Sequence, residues 1–186
     1  MKRGNSVDDI LCPLDEMPTQ AYLSNAVQLA DILDWVLDQV GIAKIWQTSF
    51  SISEEFLRRL FFIEKKGNIK EFLLVLDHKA TNKTLRLWAF ITQVVERTYL
   101  ADNHSKVLLI EAESGQNVAV ITSQNLTRGN RYESAVITTD SNIFSRLKAE
   151  VSDLIRNHSV PLHDLFERQI NFDIKDILND KNGDDD

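Results

Sequence analysis

The run Phe72-Leu73-Leu74-Val75-Leu76 constrains this chain more than any other stretch. Five consecutive apolar residues, closed by Asp77 and preceded at a short distance by Gly67, are too few for a membrane span. They show no alternation either, so both faces of the segment are buried. The expectation is a strand over 69–77 inside a sheet covered on both sides. The neighbouring patterns supply the cover. Ala26, Leu29, Ala30, Leu33, Val36, Leu37 and Val40 recur at three- and four-residue steps, which predicts a helix from about Ser24, with Ser24 or Asn25 as cap and Gly41 as stop. Residues 42–49 read as a strand. Ser51-Ile52-Ser53-Glu54-Glu55 opens a second helix with a cap and an acidic first turn, and Gly67 ends it.

Farther along, Thr84, Trp88, Ile91 and Val95 predict a helix over roughly 83–99. His104 to Ala112 reads as a strand, Glu113-Ser114-Gly115-Gln116 as a turn, and Asn117 to Ser123 as the next strand. After a polar loop containing Gly129 comes a strand at 132–138, then a helix capped by Asp140 or Ser141 and running to about Asn157. Pro161 suits the first turn of a short helix to about Gln169. Strand–helix alternation followed by adjacent strands predicts an α/β fold, with a mixed but mostly parallel sheet flanked by helices. We divide the chain into an N-terminal arm (1–23, with Pro13 and Pro18), one domain (24–170) and an acidic C-terminal tail (171–186).

Charge and composition set limits on function. With 21 basic and 28 acidic residues the net charge is -7, so a basic surface that coats nucleic acid is not expected. Residues 173–186 carry six Asp and two Lys, which leaves the body nearly balanced and able to hold a local cationic pocket. The single cysteine, Cys12, cannot form an internal disulfide, no apolar run reaches the ~18 residues of a membrane span, and the start lacks a leader's apolar stretch. A cytoplasmic protein without a membrane span is the expectation.

The chemistry-bearing segment is His104-Ser105-Lys106, then Thr122-Ser123-Gln124-Asn125, then Arg128, Arg131 and Glu133. With Ser114-Gly115 as a two-residue hairpin loop, His104 falls opposite Asn125 and Lys106 opposite Ser123. Opposed side chains share a face about 5 Å apart at Cβ. A three-residue loop would break this register. Gathered on one patch, an imidazole, an ammonium, a hydroxyl and a carboxamide suit a phosphoryl group. Lys supplies charge, Ser and Asn supply donors, and an unprotonated imidazole can be the nucleophile without a metal or other cofactor. By parity Glu111 points to the opposite sheet face, which suits a structural role. Arg128 and Arg131 are candidates for steering phosphate. Trp35, Trp46 and Trp88 fit core or dimer contacts, and His78, His158 and His163 show no metal-ligand spacing.

These residues resemble the phospholipase D superfamily, whose HKD-type signature is H-x-K, an acid five residues after the Lys, and a small residue before S-x-N. Here they are His104-x-Lys106, Glu111 and Thr122-Ser123-x-Asn125, with Glu133 in the following strand, and the likeness covers roughly 24–157. Two positions depart from the pattern: Glu111 stands for the usual Asp, and Thr122 for the usual Gly. The resemblance implies a phosphodiesterase (a hydrolase) in which His104 forms a phosphohistidine, Lys106 and Asn125 hold the phosphoryl group, and Glu133 orients the imidazole. Ser123, Arg128 and Arg131 would bind substrate. It also implies a second histidine to protonate the leaving oxygen. The chain carries one copy of the motif, so a homodimer with a shared site is implied. Small one-motif members of the superfamily include nucleases, which favours nucleic acid as the substrate over lipid. The net negative charge suggests dependence on a larger partner assembly. The alternative reading is a catalytically inactive phosphate- or nucleic-acid-binding or assembly module that keeps the fold, and Glu111 and Thr122 are the features that favour it.

Overall fold

The apolar run and its predecessor become neighbouring parallel strands. In the computed structural model, which describes residues 7–80, 84 and 86–166, the predicted segments over 42–49 and 69–77 form β2 (Ala43–Ser49) and β3 (Ile69–Asp77). Around them lie β1 (Thr19–Ser24), β4 (Arg97–Ala101), β5 (Val107–Ala112), β6 (Val118–Thr122), β7 (Glu133–Thr138) and β8 (Ser159–Pro161). The sheet order is β1-β7-β6-β5-β2-β3-β4-β8.

The sheet is mixed but mostly antiparallel, which corrects the mostly parallel expectation. Parallel pairing is confined to β2–β3 and β3–β4, and the other neighbours run antiparallel. The reason is connection length. Parallel neighbours need a crossover of about a dozen residues or more. Helix α2 (Glu54–Glu64) provides one between β2 and β3, whereas only residues 113–117 separate β5 from β6.

Helix α1 (Leu29–Val40) begins later than its apolar periodicity suggests, because Ser24 is taken into β1 opposite Glu133. Gly41, at φ 81°, ends it by donating its N–H to the Leu37 carbonyl, a conformation that costs glycine little. Ser53 caps α2 by accepting the Phe56 N–H, and Asp140 caps α4 (Ser141–Asn157) through Asn142 and Ile143. The helix expected over 83–99 is cut short. α3 (Trp88–Val94) stops, Val95 turns extended, and β4 follows alongside β3. Thr98 and Tyr99 favour a strand, and a ready parallel neighbour outweighs the continuing helical pattern.

The expected arm is part of the body from Val7 onward: Leu11 and Leu14 are buried, and Thr19–Ser24 pairs with β7. Residues 162–166 are helical, but Pro161 closes β8 opposite Tyr99 instead of lying in the helix's first turn. The rest of that segment and the acidic tail lie outside the described residues.

Alternation along the strands divides the core. Leu108 and Ile110 face α1 and α2 with Ile45, Leu74, Leu33 and Leu57. Val107 and Leu109 face α4 with Trp46, Leu73, Phe144 and Val151. The parallel strands end at Ser49 and Asp77, beside the entry to β5. This junction, where β2 has a parallel neighbour on one side and an antiparallel one on the other, carries the site.

Candidate functional site

The buried ends of β2 and β3 are polar, and they shape the segment before β5. Thr48, Ser49, Asp77 and Asn103 are all buried. Asp77 accepts the N–H of Asn103 (3.0 Å) and of Lys79 (2.7 Å). Asn103 donates its amide to the Ser49 carbonyl (3.2 Å) and accepts the Ser105 N–H (3.1 Å). Thr48 Oγ1 accepts the Val107 N–H (2.9 Å) and meets Ser105 Oγ at 2.8 Å. Residues 103–106 are therefore a strap clamped to the strand ends rather than the start of β5, which begins at Val107.

On this strap Lys106 lies across His104. Its ammonium donates to the His104 carbonyl (2.8 Å) and stands 3.5 Å from Nδ1, and among the described residues Nε2 is the ring nitrogen without a hydrogen-bond partner. The His104 ring meets Phe50 at 5.3 Å between centroids, tilted 56°. Asn125 joins from the other side. Its Oδ1 accepts from the Phe50 N–H (3.2 Å) and Ser49 Oγ (3.3 Å), which fixes the amide so that Nδ2 is the end left to donate.

The hairpin register differs from the expected one. Val107 pairs with Ile121, and Lys106 O accepts from Thr122 N (3.0 Å), so Lys106 falls opposite Thr122 and not Ser123. The turn is an odd-numbered one. Glu113 N bonds to Ile42 O and Gly115 N to Ala112 O, with Gly115 at φ 87°. Such a loop shifts the pairing by one residue. Cross-strand pairing thus does not gather the motif, and the strand-end network replaces it.

Ser123 is committed elsewhere: its hydroxyl donates to Glu133 in a short bond and accepts the Ser134 N–H (3.0 Å). Among the described residues no hydrogen bond joins Ser123, Asn125 or Glu133 to His104 or Lys106. Thr122, the bulkier residue in the Gly position, closes β6. Its Oγ1 donates to Ser134 O (2.9 Å) and accepts the Gln124 N–H (3.0 Å), which turns the chain toward Asn125. Glu111 lies on the α4 face, where Lys148 pairs with it and also sits 4.7 Å over the Trp46 ring. A hollow of about 30 Å³ beside Asn125 is bordered by Gln28, Gln124, Arg128, Arg131 and Glu133. Arg128 pairs with Glu55 at 2.7 Å, and Arg131 is exposed. The larger hollow, about 340 Å³, lies near the start of β4 among Trp88, Ile91, Tyr99 and His163 and holds none of the motif residues.

Two groups escape a reading by spacing. Thr48, Ser49, Phe50, Asp77 and Asn103 build the site, and their signal is polarity placed immediately after apolar runs. Asp77, His78 and Asp102 bring potential metal-binding atoms within 4.8 Å of one another. Both Asp77 oxygens already accept backbone N–H groups, and Lys79 lies 3.8 Å from Asp102, so this cluster fits a structural role. Burial, together with the charges of Glu133 and Asp31, pushes the Tyr22 phenol up to about 12 despite a lowering contact with Thr122.

The chain shares its fold with solved structures of phospholipase D family members. The chain is similar to a phospholipase D family member, Nuc from Salmonella typhimurium, at 14% identity and TM-score 0.58, over 77% of this chain and 97% of that one. It is similar to NucT from Helicobacter pylori at 13% identity and TM-score 0.56, over 75% and 96%. Phosphatidylserine synthase from Haemophilus influenzae aligns at 11% identity and TM-score 0.53, over 86% of this chain and 46% of that one. No protein-family model and no curated protein matches the sequence. Among the described residues no helix is long and apolar enough to cross a membrane.

Proposed function

We propose that the chain is a phosphodiesterase of the phospholipase D type, nuclease-like, acting through a phosphohistidine in a homodimer. The observation that carries this reading is the strap that holds His104 against Lys106, with Phe50 touching both His104 and Asn125, and with Nε2 and the Asn125 amide nitrogen making no hydrogen bond among the described residues. In the tautomer with its proton on Nδ1, where the Lys106 ammonium bonds the His104 carbonyl and not the ring, Nε2 attacks phosphorus and the bond from phosphorus to the leaving oxygen breaks. A proton from His104 of the partner subunit reaches that oxygen. The same group then takes a proton from water, whose oxygen displaces the imidazole from phosphorus. The Lys106 ammonium and the Asn125 amide offset the charge on the phosphoryl oxygens.

A second copy has a suitable surface. Leu23 (71% exposed), Val136 (42%) and Ile121 (42%) lie on the α4 side of the sheet, beyond the part α4 covers. Ile121 pairs with both Val136 and Val107, the residue after Lys106. An isologous contact along this stripe would join two copies across the α4 face of the sheet.

The second reading, a binding or assembly module without turnover, is favoured by the Ser123–Glu133 bond: among the described residues no carboxylate hydrogen-bonds the His104 imidazole. Hydrolysis of bis-p-nitrophenyl phosphate in the presence of chelator separates the two. The phosphodiesterase reading expects His104→Ala to lose about 10³-fold or more in rate. If wild type and His104→Ala are equally inert across pH, the module reading prevails. Lipid vesicles set against single- and double-stranded DNA then test the preference for nucleic acid.

A further inference from the structure

Phe50 lies outside the motif, yet it touches two of its members. Its backbone N–H holds Asn125 Oδ1, and its ring rests on the His104 imidazole. The backbone that carries it is fixed on both sides. Leu126 N donates to Ser49 Oγ (3.1 Å), Ser53 N donates to Leu126 O (2.8 Å), and Ile52 bridges Leu126. The ring therefore stands on rigid chain, and Lys106 borders the imidazole at Nδ1.

We infer that Phe50 is a positioning residue for His104: its ring and the Lys106 ammonium confine the imidazole so that Nε2 points toward the space where a phosphoryl group meets Asn125 Nδ2. The inference rests on the proposed phosphodiesterase reading. A benzene ring supplies no proton and no charge, so its effect is purely orientational. A tilted aromatic contact restricts the imidazole by an amount equivalent to about two- to tenfold in rate.

The test compares Phe50→Leu, which keeps apolar bulk and the backbone N–H, with Phe50→Tyr, which keeps the ring. One readout needs no turnover: the His104 ring-proton resonances in NMR spectra, assigned by their loss in His104→Ala. The other is kcat with KM on bis-p-nitrophenyl phosphate. Support is a displaced His104 resonance in Phe50→Leu that returns in Phe50→Tyr, with kcat following it about two- to tenfold while KM stays within about twofold. If no variant turns over substrate but the resonance moves and returns, the positioning contact stands and the phosphodiesterase reading fails. The inference is overturned if Phe50→Leu leaves the resonance in place, if Phe50→Tyr behaves like Phe50→Leu, or if turnover occurs and Phe50→Leu leaves kcat unchanged.

Discussion

Removing the Asp77 carboxylate should loosen the strap before it unfolds the sheet. Asp77 is 2% exposed and receives two backbone N–H groups, those of Asn103 and Lys79. Lys79 is exposed, so its N–H can turn to water. Asn103 is buried, so in Asp77→Ala its N–H has no replacement. A hydrogen bond to a charged acceptor contributes about 1.5–3 kcal/mol, and a stranded buried donor costs about 1–3 kcal/mol, two views of the same loss. With a smaller share from Lys79, the expected cost is about 2–4 kcal/mol. Asp77→Asn keeps one acceptor oxygen and should cost about half as much. Urea unfolding measures the total, and native-state amide exchange locates it. Protection should fall first at Asn103 and Ser105, since the Asn103 side chain holds Ser105 and the Ser49 carbonyl. A loss below about 0.5 kcal/mol, or unchanged exchange at Asn103, would refute the claim that this carboxylate holds the strap.

Two further outcomes follow from the same structure. The native Tyr22 phenol titrates near 12 and an unfolded one near 10. Its contribution is therefore complete below pH 10 and is lost as the pH rises through 12, about 2–3 kcal/mol in all. Tyr22→Phe should flatten that part of the alkaline unfolding profile, and an unchanged slope would show that another group is responsible. Val136→Lys puts a charge in the exposed stripe without touching the core. Sedimentation should show a monomer, whereas a dimer that persists would place the subunit contact elsewhere.

The sequence was most informative where local chemistry and tertiary demand agree. β3 runs from Ile69 to Asp77 as its apolar run predicts, Ser53 caps α2, and Asp140 caps α4. It was least informative where a distant partner decides. β1 exists because β7 lies alongside Thr19–Ser24, and β4 because β3 outcompetes a helix. The motif residues could be named from their spacing. Their arrangement could not, because it depends on one residue of hairpin register and on polar strand ends contributed from positions 48, 49, 77 and 103. Phe50 carries no motif signal, since its role arises only from the junction of 49–53 with 125–126.

That junction also sets an order of events during synthesis. β2, α2 and β3 form a compact local unit that can assemble once residue 77 has left the ribosome. The pocket needs Ser49 to meet Asn125 and Leu126, a separation of more than seventy residues. A nascent chain that stops short of Leu126 can thus possess five adjacent strands of the sheet and both His104 and Lys106, yet lack the loop that completes their surroundings. Closing so long a loop is slow compared with forming neighbouring strands. The candidate site is therefore completed late, after much of the architecture is already in place.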